Sequence, residues 1–187
     1  SIMQPGSLKI VSSACIGTSV AADGVIDQTF ASDGIISEAY VTSTTALSGA
    51  PGIYIRFTSK TSSANGYLLF WDGANWGIYR YDSGVPTLLG STTTFTFNAN
   101  DAFGLEGITS TLSCYKRISG TWSLAFSRSD VTYQSMGFIG LRNGNTGCTF
   151  TNFGGGTPTG GLDKHTARGT MPVFPDQVRG SIIEAPL

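Results

Sequence analysis

The sequence predicts an all-β protein, an antiparallel β-sandwich, and three of its features lead there. β-Branched and aromatic residues recur in short runs, while the Ala-, Leu-, Glu- and Lys-rich stretches of helices are missing. Turn residues interrupt those runs about every ten positions. Ser and Thr fill roughly a quarter of the chain beside 25 Gly in 187 residues, a length suited to one domain.

Taken in order, Leu8–Ser12 is the first plausible strand, and Ile36–Thr42 is the next, alternating until Ser48-Gly49-Ala50-Pro51-Gly52 breaks it. Ile53–Phe57 alternates again and ends at Ser62–Gly66, whose Asn65-Gly66 pair suits a tight turn. Tyr67–Trp71, Asp72-Gly73, Trp76–Tyr81 and Asp82-Ser83-Gly84 follow as strand, turn, strand and turn. The same rhythm continues through Phe95–Phe97, Ala102–Ile108, Leu112–Arg117, Trp122–Phe126, Phe138–Leu141 and Thr149–Phe153. This organisation divides the chain into an N-terminal arm or edge strand (1–25), a sandwich (26–154) and a Gly/Pro-rich C-terminal arm (155–187).

Charge and composition exclude several classes of partner. Eleven Lys and Arg against twelve Asp and Glu give a formal charge of -1, which offers neither nucleic acid nor an anionic membrane a basic patch. No apolar run approaches the roughly 18 to 20 residues that span a bilayer. The opening Ser1-Ile2-Met3-Gln4-Pro5-Gly6 lacks a basic n-region and a long apolar h-region, so no secretory signal is expected. Cys15, Cys114 and Cys148 are sparse and odd in number and are read as free, mostly buried thiols.

Candidate functional residues are few. Glycanases need two close carboxylates. Here the acids are scattered, and Asp72, Asp82, Asp101 and Asp130 each stand in a turn, where Asp serves backbone hydrogen bonding. The sole histidine, His165, lies in the Gly/Pro-rich tail, a poor setting for a catalytic base. No enzyme is expected. Trp71, Trp76, Tyr79, Tyr81 and Trp122 have two readings, sheet packing or a platform that stacks on sugar rings. Tyr79 and Tyr81, two apart, share one face of their strand. Gly154-Gly155-Gly156 opens a linker, since no Lys-Ser/Thr follows it. Beyond it, Met171, Val173, Phe174, Ile182 and Ile183 are too few to form a core alone. They are expected to contact a neighbouring chain.

The middle of the chain resembles the concanavalin A-like lectin/glucanase, or laminin-G-like, jelly roll. The likeness begins at Asp27-Gln28-Thr29-Phe30 and runs through Gly52–Phe57, Asn65–Phe70, Trp76–Tyr81 and Leu88-Leu89-Gly90. Asn100–Gly107 with Ser110-Thr111-Leu112 is similar to the family's "Gly-Asp-x-Leu-x-Leu-x-x-x-Gly-x-x-Leu" strand pair. Asp130–Tyr133 followed by Met136–Leu141 is similar to its "Asp-x-x-Tyr-x-x-Gly-x-x-Gly-Leu" segment, and Phe150–Phe153 to its closing strand. Arg117–Trp122 departs from the family's short Asn-Gly hairpin. The resemblance implies a jelly roll with extended arms, a fold that hosts lectins, glycanases, adhesins and viral structural modules. A calcium site of the family's type would fall to Asp72 and Asp130 as nearest candidates. Modules of this kind occur in tailed-bacteriophage structural proteins. With unpaired cysteines and Pro/Gly-punctuated arms, that implies a non-enzymatic virion protein. Its first form is a capsid decoration (cement) protein that clasps neighbouring copies and the major capsid protein, its second a tail-associated one. The alternative is a carbohydrate-binding or host-recognition module with a glycan as partner.

Overall fold

A computed structural model of the chain describes residues 8–11, 14–17, 22–25, 36–43, 50–59, 63–135, 137–143 and 149–156. In chain order the strands are β1 (Leu8–Val11), β2 (Ala14–Gly17), β3 (Ala22–Val25), β4 (Ile36–Ser43), β5 (Gly52–Phe57), β6 (Gly66–Trp71) and β7 (Trp76–Asp82). They continue as β8 (Val85–Leu88), β9 (Ala102–Ile108), β10 (Thr111–Ile118), β11 (Thr121–Ser129), β12 (Phe138–Asn143) and β13 (Thr149–Gly156). Seven strands form one sheet in the order β1-β2-β13-β4-β9-β10-β11, and six form the other in the order β3-β12-β5-β6-β7-β8. Every pairing is antiparallel, so the all-β sandwich expected from the turn spacing is the fold. The first 25 residues supply three strands, and β13 extends through Gly156. The tail beyond, with His165, Met171, Val173, Phe174, Ile182 and Ile183, lies outside the described residues, as does Cys148.

Period-two alternation builds the core between the sheets. Ile53, Ile55, Tyr67, Leu69, Trp76, Ile78, Ile139 and Leu141 of the six-stranded sheet meet Phe103, Leu105, Leu112, Cys114, Phe126 and Phe150 of the seven-stranded one. Each such burial stabilises the fold by about 1.5 to 3 kcal/mol before ordering costs. Cys114 is a free thiol here, and burial pushes its pKa up, away from the reactive thiolate. The intervening positions Tyr54, Leu68 and Tyr81 face the other way. With Phe57 and Ala64 they form a second apolar cluster on the outer face of the six-stranded sheet.

One irregularity bolts the two sheets together. Arg56 has φ 55°, so Ile55 and Arg56 both turn toward Gly107 of β9, where an added Cβ would lie 2.9 Å from Arg56 Cζ and 3.1 Å from Ile55 Cδ1. The Arg56 guanidinium, in a residue only 1% exposed, donates to the carbonyls of Thr109 (2.7 Å), Gly107 (2.8 Å) and Tyr133 (3.0 Å). Burial lowers its pKa from the ordinary arginine value.

Two local expectations change. The Asn65-Gly66 pair is not a two-residue hairpin turn, because residues 58–65 form the connection and the Thr58 N–H donates to the Asn65 carbonyl at 2.9 Å. Two-residue turns with both central φ positive occur instead at Ser83-Gly84 and Ser119-Gly120, the latter closing the hairpin at the family's Asn-Gly position. Phe95–Phe97 is not a strand. Only Thr93 forms a bridge, with Trp76, because both phenyl rings turn onto the Trp76 end of the core.

Candidate aromatic cavity at the β6–β7 end

The β6–β7 turn positions the candidate site. Asp72 Oδ1 accepts from the N–H groups of Ala74 (2.9 Å) and Asn75 (2.7 Å), and the Asp72 N–H donates to the Asn75 carbonyl (3.0 Å). Those two backbone donors hold the Asp72 carboxyl below its ordinary pKa. The turn sets Trp71 and Trp76 directly opposite each other in the ladder. The segment after β8 is then tied across it. The Trp76 and Thr93 backbones exchange two hydrogen bonds of 2.8 Å, and the Thr94 hydroxyl donates to Asn75 Oδ1 at 2.7 Å.

Phe95 stacks on Trp76 with ring centroids 5.1 Å apart and planes within 2°, and Phe97 lies 5.3 Å from the same ring. A cavity of about 230 Å³ opens here, lined by Trp71, Ala74, Trp76, Thr94, Phe95, Thr96 and Phe97. Trp76 is fully buried, and its indole N–H has no acceptor. An unmet buried donor costs about 1 to 3 kcal/mol. Lys116 Nζ stands 5.2 Å from the centroid of Phe95. The cavity lining offers aromatic side chains and the Thr94 and Thr96 hydroxyls.

The far end of β7 carries a different constellation. Asp130 Oδ1 accepts from the Tyr67 hydroxyl (2.7 Å) and the Thr132 N–H (2.8 Å), and Oδ2 accepts from Arg80 Nη1 (2.8 Å). Arg80 Nε donates to Asp82 Oδ2 (2.9 Å), and the Tyr133 hydroxyl donates to Asp82 Oδ1 (2.6 Å). Burial works to raise the Asp130 pKa, but Tyr67, Thr132 and Arg80 outweigh it and leave the group below the usual carboxylate range. Tyr133, then Arg80, lowers Asp82 against its slight burial. Burial raises Tyr67 well above the ordinary phenol. These carboxylates are consumed in holding the 130–133 loop to β6 and β7.

That corrects the calcium expectation. Asp72 sits beyond the Trp76 end of β7 and Asp130 on Arg80, so the two are separated by roughly four residues of strand, about 13 Å. Asp130 already faces a cation, Asp72 closes its own turn, and among the described residues no three acid, His or Cys side chains gather. The donor set does not fit the ion.

Of the five aromatic candidates, the structure brings Trp71 and Trp76 together. Trp76 is 0% exposed, so it contributes an edge and a wall to the cavity while being a core residue. Tyr81, at 6% exposure, is not a free platform but part of the outer-face cluster, with Tyr54 and Phe57. Tyr79 lies on that same face, edge-on to Phe70 at 5.8 Å. Trp122 is far along the other sheet, half-buried on β11 with the Arg117 guanidinium 5.9 Å over its ring. Phe95, Phe97, Thr94 and Asn75 were not foreseen. Their signal was the alternation Phe95-Thr96-Phe97, which reads equally well as a strand.

No protein-family model matches the chain, and no curated protein matches it in sequence. Solved structures do match in shape. The carbohydrate-binding module CBM66 from Bacillus subtilis superposes with TM-score 0.60 at 16% identity, over 81% of this chain and 91% of that one. The exoplasmic/lumenal domain of VIP36, in its Ca2+/Man3GlcNAc-bound form, gives 0.64 at 11% identity, over 88% and 87%. A protein of unknown function with a galectin-like fold from Bacillus subtilis gives 0.59 at 14% identity, over 82% and 87%. The fold is the lectin-like β-sandwich. At these identities the likeness establishes architecture and leaves function to the site.

Proposed function

We propose that the chain is a non-catalytic carbohydrate-binding module whose site is the Trp71–Trp76–Phe95 cavity. The observation that carries this reading is a cavity walled by Trp71, Trp76, Phe95 and Phe97 at the β6–β7 end of a lectin-like sandwich. About 230 Å³ is below the roughly 300 to 1,000 Å³ of common ligand pockets and suits one sugar ring at a time. Trp71, half-buried, supplies the stacking face, and the Thr94 and Thr96 hydroxyls border it. Asp82 and Asp130 are engaged with Arg80, Tyr67 and Tyr133, which supports binding without hydrolysis.

Fold neighbours that include a carbohydrate-binding module and a glycan-bound lumenal domain support this reading over a virion cement role. The virion reading, as decoration or tail protein, draws on the module's likeness to phage structural proteins, the unpaired cysteines and the Pro/Gly-punctuated arms, and its expected contacts Met171, Val173, Phe174, Ile182 and Ile183 lie outside the described residues. A binding assay on immobilised polysaccharides tests the function. Wild-type chain is expected to be retained by at least one. Trp71→Ala should weaken that retention about tenfold or more while leaving Tm within a few degrees. Absence of retention across neutral and acidic polysaccharides would overturn the reading.

A further inference from the structure

We infer that Arg128 is the positioning residue of the cavity, a clamp that reaches from the seven-stranded sheet and holds the Phe95 wall in place before any ligand arrives. The inference rests on the carbohydrate reading of the same cavity and adds how its shape is kept. Arg128 lies on the edge strand β11, two positions beyond the buried Phe126 and opposite the buried Leu112, so its side chain starts on the inward face. Its Cζ stands 4.9 Å from the centroid of Phe126, and Phe126 lies 6.4 Å from Phe95, the ring stacked on Trp76. A continuous run of contacts therefore joins the guanidinium to the cavity wall.

The same guanidinium holds the backbone that leads to that wall. Nε donates to the Leu89 carbonyl (2.9 Å), Nη2 to the Ser91 carbonyl, and Nη1 to the Ser127 carbonyl of its own strand (2.6 Å). The Leu89 N–H donates to the Ile78 carbonyl of β7 (2.8 Å), so Leu89 is bonded to both sheets, to one through its N–H and to the other through its carbonyl. Thr93 then bridges to Trp76, and Phe95 follows. Between the clamped carbonyls Gly90 has φ 71°, and a Cβ there would lie 3.0 Å from Arg128 Nε, so the guanidinium fits closely against a backbone that only glycine adopts freely. Gly90 and Ser91 are exposed, so hydrogen bonds to the arginine, and not burial, fix their course. A planar fork of donors can serve carbonyls lying in different directions, which the single ammonium of a lysine cannot match. A wall ordered in the free chain spares a ligand the cost of ordering it on binding.

Amide hydrogen exchange and affinity electrophoresis of the full chain test the inference together. In Arg128→Met the Trp76 and Thr93 amides, which bond each other's carbonyls, are expected to exchange about tenfold faster, while Leu69 in the middle of the six-stranded sheet changes by less than about threefold. Migration through gels containing starch, xylan, galactomannan or pectate reads binding. Whichever of these retards the wild type should bind Arg128→Met about fivefold more weakly, with Arg128→Lys in between. Gly90→Ala, which crowds the guanidinium from outside the cavity, should move both readouts the same way. Exchange at Trp76 and Thr93 that is unchanged, or raised no more than at Leu69, would overturn the clamp. Faster exchange at the wall with undiminished retardation would also overturn the positioning role and leave the sugar site standing. Retardation of the wild type by none of these polysaccharides would overturn the carbohydrate reading and the binding role of Arg128 with it, whereas the exchange comparison judges the clamp in either case.

Discussion

At the residue scale, the proposed function divides the labour of binding and folding between two neighbouring tryptophans. Trp76 is enclosed by Phe95, Phe97 and Phe103, so Trp76→Ala is expected to cost about 3 to 5 kcal/mol in chemical denaturation. Trp71, only partly buried, should lose ligand and keep stability. Asp130 is the corresponding polar residue. Its side chain is 9% exposed and accepts from Tyr67, Arg80 and Thr132, so Asp130→Asn should destabilise by about 1.5 to 3 kcal/mol. The pH dependence has a definite sign. The folded-state pKa of Asp130 lies below its unfolded value near about 3.9, so the unfolded chain binds more protons in that window. The stabilisation is therefore complete above roughly pH 5 and fades as pH falls through the lower folded value. The gap in Tm between wild type and Asp130→Asn should narrow accordingly in acid, and a gap independent of pH would contradict this role for the carboxylate. The sequence placed Asp130 in a turn but could not show Arg80 and Tyr67 arriving from 50 and 63 residues away.

At the scale of elements, most strands were legible because their apolar runs end in Gly, Asp or Asn. Two kinds of segment were not. Val85–Leu88 is exposed at all four positions with Pro86 in it, so it carries no burial alternation; it is an edge strand, where a missing N–H is tolerated. Phe95–Phe97 alternates like a strand, yet it serves as a lid of phenyl rings over Trp76. The alternation in Tyr79 and Tyr81 correctly put both on one face. It could not say which face was the core, since both faces of the six-stranded sheet are apolar. The Arg56 bulge brings its own constraint. A Cβ at Gly137 would fall 2.4 Å from the Phe57 carbonyl oxygen, so Gly137→Ala must displace backbone beside the bulge. A loss of about 1 to 3 kcal/mol is expected in urea unfolding, and an unchanged midpoint would show that β5 and the 137 region yield more easily than this packing implies.

At the scale of the whole molecule, turn spacing and the family-like segments revealed the sandwich, whereas the site came from a juxtaposition no local pattern encodes. Trp71 and Trp76 meet through one hairpin, but Phe95 joins them through a single bridge at Thr93. Because the cavity is lined from within residues 71–97, a chain ending at Gly156 should fold and bind the proposed glycan within about twofold of the full chain's affinity, as equilibrium titration would read. Loss of binding in a folded truncation would assign the tail a part in the site. The most direct test of the carbohydrate site follows the indole N–H resonances of the chain's three tryptophans by NMR during titration with a retained oligosaccharide. Saturable shifts at Trp71 and Trp76, with Trp122 unmoved, are the predicted result. A ligand that shifts Trp122 and leaves Trp71 and Trp76 in place would contradict the cavity as the binding site.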